Sequence, residues 1–230
     1  MTSKGESKAQ KSLSAPKIRD FHRKEYAWTQ KSRPGPYKKE ESVPMTFALR
    51  HLVKIAATQK VADRILAERK AKLNGKTTTN NQLSVGIFDI LELEGMKNAY
   101  MFRLTKKGSL EAVEIERPKH ITKPVKIKNK WTGKGKKVFI STQDGRTIET
   151  THKDARPGDS VLLKMPEQKI EKILKMEKGA IVLLTGGKHV GKTAKIMALK
   201  KGTMTRDTLV QLKSEDMEFE TTGKYVLVTE

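Results

Sequence analysis

Apolar spacing divides the chain into a patternless start, a short helical stretch and a long run of strands. Residues 1–40 hold almost no periodic apolar pattern, and such a stretch cannot bury enough surface to fold by itself. Within it, Arg33-Pro34-Gly35-Pro36 reads as an extended turn. From Ser42 the spacing changes. Phe47, Leu49, Leu52, Val53 and Ile55-Ala56 fall near helical spacing and predict an amphipathic helix over 45–56. Thr58 is the expected N-cap of a second helix, with Val61, Ala62, Ile65 and Leu66 on its inner face. Lys72-Leu73-Asn74-Gly75-Lys76 predicts strand, turn, strand, since Asn-Gly suits a tight hairpin. A strand pair around Val85–Leu93 follows, so residues 42–98 read as an α+β module.

Residues 99–177 show short apolar runs at Tyr100–Leu104, Leu110–Ile115, Val125–Lys128, Val138–Ser141, Thr147–Thr150 and Ser160–Lys164. Gly108, Gly133, Gly135, Asp144-Gly145 and Pro157-Gly158-Asp159 separate them, which predicts a small β sandwich or barrel. The last segment, 178–230, opens on the apolar run Gly179–Leu184 and a glycine-rich turn. Strands at Leu209–Leu212 and Tyr225–Val228 then suggest a second small barrel. The expected order is a basic extended arm (1–41), an α+β module (42–98) and two small all-β domains (99–177 and 178–230).

Charge narrows what such a chain does. It has 48 Lys and Arg against 26 Asp and Glu, a net charge of +22 and a pI near 10.0. That surplus calls for a polyanionic partner, nucleic acid or an anionic membrane surface. No apolar run approaches the ~20 residues needed to span a bilayer, and the polar, basic start lacks the apolar stretch of a signal peptide. Cysteine is absent, which excludes disulfides, thiolate zinc sites and cysteine nucleophiles. The basic excess is concentrated in residues 1–40 and 105–177.

The candidate contacts follow that distribution. In the arm, Lys11, Lys17, His22, Arg23, Lys24 and Arg33 are interleaved with Phe21, Tyr26, Trp28 and Tyr37. Cations neutralise phosphates while aromatic faces stack on unpaired bases. In the α+β module, Arg50, Lys54, Lys60, Arg64, Arg69 and Lys70 lie on or beside the two expected helices, placed to straddle a shallow RNA groove. Lys123–Lys137 is the densest basic run, and Lys128, Lys130, Trp131 and Lys134 are its expected contacts. Near the C-terminus Lys188, His189 and Lys192 are placed to face phosphate from a glycine-rich turn.

Gly186-Gly187-Lys188-His189-Val190-Gly191-Lys192-Thr193 matches the nucleotide-binding pattern G-x-x-x-x-G-K-[ST] letter for letter. Locally the match is tempting, since 181–184 reads as a strand and 194–201 could form two turns of helix. The rest of the chain refuses it. Too little sequence follows Thr193 for the parallel βα units of a nucleotide fold, and the strand at Leu209–Leu212 runs into Lys213 rather than an aspartate for magnesium. A hairpin whose glycines permit a tight turn is the preferred reading. The histidines at 22, 51, 120, 152 and 189 show no metal-ligand spacing. Glu111, Glu114 and Glu116 on one expected strand read as surface charge. No catalytic residue, metal or cofactor is expected.

Several short motifs, in order, carry a resemblance: Ala15-Pro16-Lys17, His22-Arg23-Lys24-Glu25, Arg33-Pro34-Gly35-Pro36, Glu41-Ser42-Val43-Pro44, Asn74-Gly75-Lys76, Gly86-Ile87-Phe88-Asp89-Ile90, Asp144-Gly145-Arg146, Pro157-Gly158-Asp159-Ser160 and Thr185-Gly186-Gly187-Lys188-His189. Together they resemble the S4e family of small-subunit ribosomal proteins of archaea and eukaryotes, in its archaeal branch. The resemblance implies a basic N-terminal arm, an RNA-binding α+β module, a central β domain and a KOW-type, SH3-like barrel. It further implies small-subunit ribosomal RNA and neighbouring ribosomal proteins as partners, in the cytoplasm, with no membrane and no small-molecule substrate. The family's module commonly has Gly at the turn after the second helix and Arg one turn into that helix; here Arg69 and Asp63 stand there, and Arg64 is the nearest substitute cation. The rivals are a nucleotidase built on residues 186–193 and a free-standing RNA-binding factor in ribosome assembly or transcription.

Overall fold

The structure, a computed structural model, describes residues 10–118, 120–150, 154–200, 202–203, 206–214 and 217–229. The first nine residues of the arm and His152 lie outside the described residues. The described chain is mostly β, with few helices and several small sheets. It forms two compact units. The first takes the described residues up to Arg103 together with Ser109–Arg117; the second takes Leu104–Gly108 and the described residues from Pro118 onward.

In chain order the first unit contains β1 (Gln10–Lys11), β2 (Trp28–Thr29), β3 (Val43–Pro44), α1 (Met45–Phe47), a π-helical turn (Ala48–Leu52), α2 (Gln59–Ala67), β4 (Ala71–Leu73), β5 (Lys76–Thr77), β6 (Ser84–Val85), β7 (Ile90–Leu93), β8 (Asn98–Leu104) and β9 (Leu110–Glu116). β1 pairs with β2 and β3 with β6, while one five-stranded sheet runs β5-β4-β7-β8-β9. The boundary expected after residue 98 falls within β8 of this sheet. Asn74 and Gly75 take φ of 51° and 77° between β4 and β5, the left-handed pair expected of an Asn-Gly hairpin. The strand pair expected over 85–93 is divided by a turn, where the buried Asp89 accepts from Asn74 Nδ2 at 2.7 Å, the Gly86 N–H at 2.7 Å and Tyr37 Oη at 3.0 Å.

The first helix departs from expectation. Helical backbone begins at Met45 but passes into the π-helical turn and stops near Val53, short of the predicted end at 56. Lys54 takes φ of 61°, and the N–H groups of Ile55 and Ala56 both turn back to the Leu49 carbonyl. The reversal buries Ala56, which a continuous helix would carry onward. The second helix forms as capped by Thr58, whose Oγ1 accepts from the Val61 N–H at 3.4 Å. Its buried face is narrower than predicted: Ala62 and Leu66, four apart, are buried, but Val61 is exposed.

The arm also differs from expectation, because its described part supplies core. The β1–β2 pair closes residues 12–27 into a loop. Arg19, 1% exposed, lies inside it and donates to the Gln30 carbonyl at 2.7 Å and Ser32 Oγ at 2.9 Å. Its guanidinium also stands 5.9 Å over the Phe47 ring. Ala15 and Ile18 are buried, and the Ile18 carbonyl accepts from the Leu110 N–H. A segment without apolar period is thus organised by polar contacts around one buried cation, which composition does not reveal.

The second unit contains β10 (Ile121–Thr132), β11 (Val138–Thr142), β12 (Thr147–Thr150), β13 (Ser160–Met165), β14 (Lys169–Leu174), β15 (Ile181–Leu184), β16 (Thr193–Lys200), β17 (Leu209–Lys213), β18 (Glu218–Thr222) and β19 (Val226–Val228). Two five-stranded antiparallel sheets result, ordered β12-β11-β10-β13-β14 and β18-β17-β16-β15-β19. β10 is three times the length of the strand expected there. Its first half pairs with β13 and its second with β11, across a register shift between Ile127 and Asn129. The basic run is therefore largely strand, with alternate residues Val125 and Ile127 turned into the core. The two sheets share contacts. Leu162 and Leu174 pack in the core of the second sheet, the Val228 N–H donates to Ser160 Oγ at 3.0 Å, and Lys126 Nζ donates to the carbonyls of Gly223, Lys224 and Val226 at 2.5, 3.2 and 2.8 Å. Burial pushes Lys126 down to about 8.

Candidate nucleic-acid interface

The first unit brings three expected contact residues, His22, Trp28 and Arg50, around one cleft of about 750 Å³. The arm loop forms one side, and the Phe47–His51 stretch forms the other. Phe47 and His51 stack at 4.5 Å, with Phe21 edge-on to Phe47 at 5.5 Å. Burial, reinforced by Arg50, pushes His51 below its ordinary value against the opposing pull of Glu25. Trp28 is 60% exposed at the rim. Of the other arm residues, Lys11, Lys17, Lys24 and Arg33 are exposed. Arg23 is turned inward, donating to the carbonyls of Ala15 and Pro16 at 2.8 and 3.2 Å. Sequence reading named neither Phe47 nor His51 for this site, because their chain neighbours read as helix core.

On α2 and its flank, Lys54, Lys60, Arg64, Arg69 and Lys70 are all exposed. They are not equally available. Glu68 accepts from Arg64 Nε at 2.8 Å and pairs with Lys70 Nζ at 2.5 Å, and these two contacts hold its carboxyl below the usual range. Arg50 stands apart from this group, half-buried in the cleft wall.

The second unit carries two further groups. On the β10–β11 hairpin, Lys128 and Lys134 are exposed and Lys130 is half-exposed. Trp131 stacks on Phe139 at 6.1 Å and remains 43% exposed, a flat ring at the edge of a basic strand. The turn between β15 and β16 carries Lys188, exposed, with Lys192 half-buried. His189 stacks on Phe219 at 4.1 Å, so its ring faces an aromatic neighbour.

This turn decides the nucleotide question locally. Residues after Thr193 form strand β16, with no helix whose N–H groups could meet a phosphate. β15 and β16 pair antiparallel. The glycines have packing reasons: Gly191 takes φ of 75°, and a Cβ there would lie 2.1 Å from the Thr105 carbonyl oxygen. A Cβ on Gly186 would lie 2.5 Å from the Tyr225 ring. Among the described residues no group of three His, Asp or Glu is placed to hold a metal.

Comparison with known proteins identifies the family. Residues 96–170 match the family described as Ribosomal family S4e. The small ribosomal subunit protein eS4 of Methanosphaera stadtmanae is 35% identical over 228 residues, covering 99% of this chain and 94% of its own. The chain belongs to the S4e family. The eS4 of Picrophilus torridus is 32% identical over 95% of this chain and 91% of its own. The crystal structure of 30S ribosomal protein S4e from Thermoplasma acidophilum superposes with a TM-score of 0.69, 28% identity, and coverage of 83% of this chain and 95% of that one. The S4e family is one of structural ribosomal proteins, not enzymes. Arg69, at the turn after α2, has φ of 59°. That backbone is one glycine tolerates and arginine adopts at a cost.

Proposed function

We propose that this chain is a structural constituent of the small ribosomal subunit that binds and stabilises ribosomal RNA in the cytoplasm, beside neighbouring ribosomal proteins. The observation that carries the reading is its similarity over nearly the full length to eS4 proteins of the small ribosomal subunit. The net charge of +22 supplies the means, since each neutralised phosphate releases counterion. In this reading residues 42–98 act as an α+β RNA-binding module, the basic segment 1–41 and the β10–β11 hairpin of the 99–177 domain add contacts, and 178–230 is a KOW-type barrel. No small-molecule substrate or cofactor enters it, and no helix among the described residues is long and apolar enough to cross a membrane.

Arg69, Lys60, Lys54, Lys17, Lys24 and Lys128 are the leading phosphate contacts, exposed and outside the Glu68 pairs. Trp28 and Trp131 are the exposed stacking faces. The reading is tested by sedimentation with small subunits in high salt and by titration with small-subunit RNA. Retention in the subunit peak is expected. Affinity for the RNA should fall about a thousandfold between 50 and 200 mM salt for six or more phosphate contacts. Release from subunits with undiminished RNA affinity would instead indicate a free-standing assembly or transcription factor.

A further inference from the structure

The cleft in the first unit has walls unlike those of a phosphate site. Its volume, about 750 Å³, lies within the range of small-ligand pockets, about 300–1,000 Å³. Tyr26 and Trp28, each 60% exposed, stand at the opening, and the Phe47–His51 stack forms an aromatic wall. Two acceptor-only groups, the Asp20 and Glu25 carboxylates, and one donor-only group, the Arg50 guanidinium, also line it. Among the described residues none of the three side chains makes a hydrogen bond or ion pair, and Arg50 Nε is buried without a partner. A phosphate alone would be repelled by two carboxylates. An apolar side chain would strip water from three charged groups and offer nothing in return.

A nucleobase meets all of these demands, because it has flat faces for stacking and polar edges for reading. Guanine meets them most fully. It offers O6 and N7 to an arginine, and its N1–H and N2–H₂ are adjacent donors that a carboxylate can accept together. Uracil offers one N–H between two carbonyls. We propose that this cleft holds a single unpaired guanine of RNA, stacked against the rim aromatics, with Asp20 and Glu25 accepting from its Watson–Crick edge and Arg50 donating to its acceptor edge. The inference rests on the RNA-binding function proposed above and adds a base-specific site to it.

The test uses the full chain and identical RNA hairpins carrying one bulged G, A, C or U in the stem, or no bulge, at fixed salt. The bulged-G hairpin should bind about tenfold more tightly than the bulged-U or unbulged forms. Asp20→Asn with Glu25→Gln should abolish that preference while retaining affinity for the unbulged stem, which also shows that the variant is folded. With Trp131→Phe, Trp28 is the sole tryptophan, and its fluorescence should be quenched by the bulged-G hairpin and not by the unbulged one. Equal affinity for all five hairpins, with steep salt dependence intact, would overturn the guanine site and leave the RNA-binding function standing. Absence of salt-dependent binding to any of them would overturn both. Photocrosslinking of Trp28 to protein rather than RNA in assembled subunits would show the cleft to be a protein contact and would also overturn the proposal.

Discussion

In the first unit a buried cation, Arg19, ties together a segment with no apolar period; in the second a half-buried one, Lys126, stands in the middle of a strand whose alternation is plain. Arg19 donates from inside the 12–27 loop to Gln30 and Ser32 just beyond it. Lys126 reaches from β10 to three carbonyls at Gly223–Val226 and joins two sheets. Among the described residues neither has a carboxylate partner, and burial lowers both, Arg19 to about 10 and Lys126 to about 8. Basic residues in this chain therefore serve two ends. Most stay exposed where a polyanion can reach them, while a few spend their charge on backbone carbonyls and act as fasteners.

The largest expected effect breaks the first fastener. Arg19→Ala should destabilise the first unit by about 3 kcal/mol, because it opens a cavity and strands the Gln30 carbonyl. Denaturant unfolding measures this. A loss within about 0.5 kcal/mol, the size of an ordinary surface substitution, would return the arm to the status of a free tail.

The second fastener is sharpened by pH. Lys126 sits at about 8 in the fold, below an unfolded value near 10.4. Between those values the unfolded chain binds more protons, so stability should rise with pH, by at most about 1.4 kcal/mol per unit. The three carbonyls favour the charged form and reduce that slope. Lys126→Met should flatten it, and identical stability curves from pH 8 to 10.4 for the two proteins would show that Lys126 titrates as an exposed lysine.

Smaller effects separate binding from stability. Arg69→Gly should stabilise by up to about 1 kcal/mol by relieving the left-handed backbone, yet reduce the salt slope of RNA binding by about one. Loss of stability would mean that the Arg69 side chain holds the fold. Smallest of all, Lys192→Ala should leave stability within about 0.5 kcal/mol and lower the salt slope by about one. The parent protein should show no saturable ATP binding; micromolar affinity abolished by this substitution would reinstate the nucleotide loop.

What the sequence by itself determined follows from local physics. Alternation at Val138–Ser141 and Thr147–Thr150, the Asn74-Gly75 turn and the Thr58 cap were legible because strand pleat, turn backbone and helix start each depend on a few adjacent residues. The basic surplus indicated a polyanionic partner, and the ordered motifs pointed to the S4e family. Tertiary structure decided the rest. It shortened the helix at Leu52, since burying Ala56 required a chain reversal, and it extended β10 by pairing each half with a different neighbour. It turned Arg23 inward, paired Arg64 and Lys70 with Glu68, and set Trp28, Arg50 and His51 around one cleft. Apart from the Arg64–Glu68 pair, which i,i+4 spacing on a helix permits, those outcomes depend on which carbonyl or ring comes within a few ångströms of a side chain, and no spacing along the chain encodes that distance.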